Sequence, residues 1–318
     1  MDTRRRGAFL WVCIGLLGVL VSCEGPMGPP GAAGTDGTNG FGIWVGDYEI
    51  ESQQDLDLLY MLNVDSIAGN LTISGTFPGD DENGLRLESL RIVTGTISLT
   101  GHFELKSLDL PELVFVGDSL IITSNLVLES VMIPKLERVA WDLSLTGNTV
   151  LQTVAVPALT WIGHDVSVFG NSALQSLTLP ELSTVVGDVV VWGNTLLASM
   201  SLPRVTEIGL QIYVFNSPVL GVISVPELIS VGNAMLIYEN PALTAIVANA
   251  LETVGSALFI DQNAILTSIG FAALARVNNN FTFTDNLELE TTTIDSLRDQ
   301  VLARDGIGGT TNISGNKP

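Results

Sequence analysis

Only two cysteines, Cys13 and Cys23, occur in the chain, and the first lies inside an apolar run near the N-terminus. No internal disulfide can brace the rest of the chain, so the fold must be stabilised by burial and hydrogen bonding. Histidine is as scarce, with His102 and His164 alone. This leaves little for nucleophilic or metal-assisted catalysis, and no G-x-S-x-G elbow, phosphate-binding loop or zinc-ligand spacing is present. His164 falls at a turn and reads as a solvated corner residue. Basic side chains are also few: 13 Lys and Arg stand against 34 Asp and Glu, for a net charge of -21. Such a surface repels nucleic acid and anionic lipid headgroups and keeps an exported protein in solution. The one long apolar run, residues 9–21, is too short for a comfortable membrane span.

That run follows Arg4, Arg5 and Arg6, which together read as an export signal over residues 1–22. It ends Leu20-Val21-Ser22-Cys23, which resembles the bacterial lipobox. The resemblance implies cleavage before Cys23 and acylation of its thiol by palmitate-type chains. An ordinary signal with a chance cysteine is the alternative. Glycine then takes every third position from Gly25 to Gly40, with Pro26, Pro29 and Pro30 between, a collagen-like pattern. Residues 23–40 are expected to form an extended spacer that reaches about 45 Å. Trimerisation through these few triplets is the other reading, and a monomer is expected.

The dominant signal is a 23-residue period. Leucine recurs at Leu105, Leu128, Leu151, Leu174, Leu197, Leu220, Leu243, Leu266 and Leu289. Three places earlier stand Asn125, Asn148, Asn171, Asn194, Asn240, Asn263 and Asn286, with Ser217 as the exception. An apolar-x-apolar pair precedes each Asn, as in Val166-Ser167-Val168, and a second follows the Leu, as in Leu177 with Leu179. Such alternation marks strands with one buried face. Pro111, Pro134, Pro157, Pro180, Pro203 and Pro226 then turn the chain, and Gly117, Gly163, Gly209, Gly232 and Gly255 turn it again. Columns in fixed phase predict an all-β fold over residues 41–318: a parallel β-helix, or solenoid, of about 9–10 coils stacked at about 4.8 Å. In that frame the asparagines form a buried amide ladder, with a surface turn role as the alternative. Caps are expected at both ends. Ser52 would open a short helix with Leu56, Leu59 and Met61 on one side; Thr293 would cap a helix over 294–304 with Leu297 and Val301 inward. A last strand over 311–314 leads to Asn316.

Two groups of side chains stand out as candidate sites. On the outward face of the strands before Asn, Phe169, Trp192, Phe215 and Tyr238 share one column and Val190, Tyr213, Leu236 and Phe259 the other. Earlier coils carry Ser98, Thr100, Thr123, Ser144, Thr146 and Ser167 there, so the sheet does not require aromatics. A local departure from the repeat's own pattern marks a partner surface, while cross-strand stacking, at roughly 0.2–1 kcal/mol per pair, is the plainer reading. Asp142, Asp165 and Asp188 form a second column. They fit a shared calcium ion or carbohydrate chemistry, but Asp is also a favoured residue before a strand, and no resident metal or cofactor is expected. The acidic segment 80–84 lacks EF-hand spacing and reads as an insertion in the first coil.

The segment Ile67-Ala68-Gly69-Asn70-Leu71-Thr72-Ile73, with repeats of the type Asn-x-x-Leu-x-x-Leu-x-Leu-Pro-x-Leu-x-x-Val-Gly, resembles the receptor L domain. That family includes the ligand-binding lobes of the insulin and epidermal growth factor receptors. The resemblance implies a leucine-rich-repeat-like right-handed β-helix whose sheet face contributes to ligand binding. Ordinary leucine-rich repeats are the nearest alternative, but their helical segment is missing. The receptors' cysteine-rich modules and kinase are also absent. With the lipobox, the expectation is a lipid-anchored protein of the bacterial cell envelope, at the outer membrane or cell surface, acting as a non-catalytic binding or adhesion module for a protein or glycan. A polysaccharide-active β-helix enzyme using the Asp column, and a purely structural envelope component, are the alternatives.

Overall fold

The structure, a computed structural model, describes residues 42–75 and 84–318. The export signal, Cys23, the Gly-X-Y spacer and the insertion at 80–83 lie outside these residues. The described chain is a parallel β-solenoid in which each coil from Ile92 to Gly270 contributes three short strands, while the coils beginning at Gly42 and Arg276 carry a helix in place of the third. One 12-stranded sheet is built from strands such as Trp161–Ile162, and a second 12-stranded sheet from four-residue strands such as Val166–Phe169. The third side consists of a four-stranded and a five-stranded sheet, interrupted between Thr153–Ala155 and Ser176–Thr178. Each strand pairs with its equivalent one coil away, Leu143 with Val166 and Val166 with Val189, without a slip through the regular coils.

The alternation in sequence explains the burial. In Val166–Phe169, Val189–Trp192, Ile212–Phe215 and Met235–Tyr238, the first and third residues are buried and the second and fourth half-buried. All nine leucines of the period are fully buried in one core running the length of the stack. The inward positions after each proline are equally closed, as at Leu113, Leu136, Leu159 and Leu182. Truncating one such leucine to alanine costs about 2–5 kcal/mol in lost transfer energy and cavity.

Corners need two further devices. The glycines after the two-residue strands are there for close approach: a Cβ on Gly232 would lie 2.0 Å from the Gly209 carbonyl oxygen one coil back. The residue before each ladder asparagine adopts left-handed backbone, as Gly147, Gly170 and Gly193 do at φ 64–67°, but also Ser124, Asn216, Glu239, Gln262 and Asp285 at φ 49–58°. This reverses the chain between the outward strand and the buried Asn.

Both ends are capped. Helix α1, Gln53–Met61, begins at Ser52, whose backbone N–H and hydroxyl both donate to the Asp55 carboxylate, at 2.9 and 2.7 Å. Leu56 and Leu59 are buried beneath it, but Met61 is 75% exposed, contrary to its expected inward position, because it follows Leu59 by two residues, about 200° round the helix. Helix α2, Thr291–Leu302, starts after Glu290 and not at Thr293; the turn is set by the N–H groups of Thr293 and Ile294, which donate to the Glu290 carbonyl. Ile294, Leu297 and Val301 close the far end of the core. Among the described residues no helix is long and apolar enough to cross a membrane.

Candidate binding surface

The two outward columns of the four-residue sheet lie side by side in register: Phe169, Trp192, Phe215 and Tyr238 on adjacent strands, and Val190, Tyr213, Leu236 and Phe259 next to them. The first column stacks continuously. Ring centroids are 4.9 Å apart for Phe169 and Trp192, 5.5 Å for Trp192 and Phe215, and 5.1 Å for Phe215 and Tyr238, with interplanar angles of 12°, 12° and 17°. Tyr213 leans on Phe215 at 4.6 Å and shares a hydroxyl–hydroxyl hydrogen bond with Tyr238. Phe259 closes the group edge-on to Tyr238 at 6.0 Å. Burial, followed by the hydrogen bond to Tyr213, pushes the Tyr238 phenol well above its ordinary pKa, so it stays neutral.

All eight residues are half-buried, and much of that cover comes from one another. Trp192 and Phe215 have a ring on both faces, so they present edges and not faces to solvent. The strip is bounded on both sides. Before it the column holds Thr123 and Thr146, whose hydroxyls lie 3.0 Å apart; after it come Asp261 and Thr284, hydrogen-bonded to each other. The stacking expected as the plainer reading is therefore present, and it builds a contiguous aromatic strip confined to the middle and later rungs.

The asparagines form the predicted ladder. The Asn148 Oδ1 accepts from the Asn125 backbone N–H and Nδ2, both at 3.0 Å, while its own Nδ2 donates to the Ile122 carbonyl at 2.8 Å. The same pattern runs through Asn171, Asn194, Asn240, Asn263 and Asn286 to Asn316. All but Asn316 are fully buried. Sequence reading missed the first member: His102, also fully buried, occupies this column, and its backbone N–H donates to the Asn125 Oδ1 at 2.9 Å. Its position 23 residues before Asn125 was the available signal.

The Asp column is a second ladder at another corner. The Oδ1 atoms of Asp142, Asp165 and Asp188 accept the backbone N–H of Asp165, Asp188 and Gln211, at 3.0, 2.7 and 2.9 Å. His164 sits at a corner with its side chain 38% exposed, as expected of a solvated corner residue, but it also has specific neighbours. Its Nδ1 lies 2.8 Å from the Asp142 Oδ1, and its ring stacks on Trp141 at 4.5 Å and 10°. Asp188 has no such neighbour among the described residues. Also unread was a ridge of exposed aliphatics two places after the ladder position, Leu196, Val219 and Ile265, in the same 23-residue phase. Compared with family models, with curated proteins and with solved structures, the chain matches none.

Proposed function

We propose that the chain is a non-catalytic binding module of the bacterial cell envelope, tethered through Cys23 and the Gly-X-Y spacer, that engages a protein partner through the aromatic strip. The observation that carries this reading is confinement of the rings: rungs before and after the strip form the same sheet with Ser, Thr, Asp, Asn and a single aliphatic, Ile121, outward and no aromatic, so the aromatics exceed what the fold needs. Of the two ligand classes a surface of this kind serves, the stacking favours protein. Sugars pack against exposed ring faces, and here the interior faces are occupied; ring edges and the flanking Val190 and Leu236 suit the apolar core of a protein interface. The resemblance to receptor L domains, in which a sheet face contributes to ligand binding, points the same way.

The test replaces Trp192 by Thr and Tyr213 by Ser, residue types that earlier rungs carry at equivalent positions, at Thr146 and Ser167. The double variant is expected to keep the fold, losing about 1–3 kcal/mol of stacking, and to lose capture of envelope or extracellular proteins by the immobilised chain. A capture profile identical to that of the unsubstituted chain would reject the strip as the binding surface.

A further inference from the structure

Away from the strip, one corner of the solenoid gathers ligand atoms of a different kind. Trp141, His164 and Gly187 occupy one 23-residue column, and Asp142, Asp165 and Asp188 the column beside it. Trp141 stacks flat on one face of the His164 imidazole. On the next coil stands Gly187, where a Cβ would lie 2.1 Å from the Asp165 Oδ1 and 2.8 Å from the His164 backbone carbonyl. Any other residue would fill the space that Gly187 leaves beside the Asp165 carboxylate. On the other side of the Asp165 carboxylate, the His164 Nδ1 lies 2.8 Å from the Asp142 Oδ1 and 3.4 Å from the Asp165 Oδ2. One ligand atom from each residue falls within 4.8 Å of the other two.

We propose that Asp142, His164 and Asp165 form a binding site for a divalent transition ion of the zinc type. Zinc takes imidazole nitrogen and carboxylate oxygen at about 2.0–2.2 Å in tetrahedral geometry, which separates neighbouring ligand atoms by about 3.4 Å. The 3.4 Å pair already has that separation, the 2.8 Å pair reaches it by opening about 0.6 Å, and the two carboxylate oxygens, within 4.8 Å of each other, come to it by side-chain rotation. Metal binding uses the tautomer with its N–H at Nε2, which leaves the Nδ1 lone pair facing Asp142 and Asp165 free for the metal. Both carboxylates are held from behind by backbone N–H groups, the Asp142 Oδ1 by Asp165 and the Asp165 Oδ1 by Asp188, so the ligands are oriented before the ion arrives. Three protein ligands leave the fourth position to water on the open side, where the three side chains are 27–38% exposed. Calcium is disfavoured, since it requires six to eight oxygen ligands and two carboxylates supply too few.

The test is calorimetric titration of the metal-free full chain with zinc chloride, followed by calcium chloride. One equivalent of zinc should bind, with no matching calcium heat. His164→Gln and Asp142→Asn should each weaken zinc at that equivalent by tenfold or more. Asp188→Asn, in the same ladder but without an imidazole beside it, should change it by less than twofold. The indole fluorescence change on zinc addition should disappear in Trp141→Phe while the binding heat remains. Zinc binding that survives His164→Gln, that falls equally in Asp188→Asn, or that calcium matches would overturn the assignment; unchanged circular dichroism of each variant separates loss of the site from loss of fold.

Discussion

A ladder asparagine satisfies three polar groups at once, because its Oδ1 accepts the main chain and amide of the coil before and its Nδ2 reaches that coil's strand carbonyl. Ser217 interrupts this. Its N–H still donates to the Asn240 Oδ1 at 3.1 Å, but its hydroxyl reaches only the Phe215 carbonyl in its own coil, at 3.5 Å, and no bond from its side chain crosses to the Asn194 coil among the described residues. Ser217→Asn should restore the bridge and raise unfolding free energy by about 1 kcal/mol, measured by denaturant titration; an unchanged or lower midpoint would refute the ladder's energetic role. His102 makes the same column sensitive to acid. Its Nδ1 accepts the backbone N–H groups of Glu104 and Leu105, at 3.2 and 3.1 Å, which requires that nitrogen unprotonated. Burial holds the imidazole below its ordinary pKa of 6.5, against the opposing pull of Glu104. The unfolded chain therefore binds the proton first, so this contribution is intact above 6.5 and is lost as pH falls below it toward the lowered folded value. Thermal melts between pH 7.5 and 5 should show a smaller acid-induced drop for His102→Asn than for the unsubstituted chain. The asparagines were readable because one residue type repeats in phase. Ser217 was readable only as a gap and His102 only by its phase, since an imidazole shares no side-chain pattern with the asparagines.

Within each coil, the turn from outward strand to buried asparagine depends on a left-handed residue. Glycine adopts this without strain, whereas an L-residue with a Cβ pays about 1–2 kcal/mol. Glu239, exposed at φ 53°, sits where Gly170 and Gly193 serve in earlier coils. Glu239→Gly should stabilise the chain by about 0.5–1 kcal/mol in chemical unfolding, whereas the same change at a regular strand position should destabilise it. This column escaped sequence reading because its occupants, Gly, Ser, Asn, Glu, Gln and Asp, share a backbone conformation and no side-chain chemistry. The caps were partly legible for a related reason. Apolar spacing marked Leu56, Leu59, Leu297 and Val301 as inward, but α2 begins at a glutamate whose side chain makes no cap bond, so its start carried no signal.

Across the whole molecule, a stack of near-identical coils derives its stability from each coil's own packing and its contact with two neighbours. Any outward column is then free to vary without cost to the core, and the second sheet uses that freedom once, for the strip from Phe169 to Phe259. The columns of this strip could be read from period alone, since strand alternation and register fix which side chains share a face. Its stacking geometry, and with it the ground for proposing a protein partner and not a glycan, required ring orientations that no spacing encodes. The same holds for the Asp142 and His164 corner, which joins residues outside any single repeated type. The most direct test of the strip as a partner surface is hydroxyl-radical footprinting of the chain in the intact cells that produce it against the purified chain, with Trp141, 50% exposed and away from the strip, as internal reference. Oxidation of Trp192, Tyr213, Phe215 and Tyr238 should fall several-fold in the cells while that of Trp141 stays constant; equal oxidation of the strip in both settings would contradict the account.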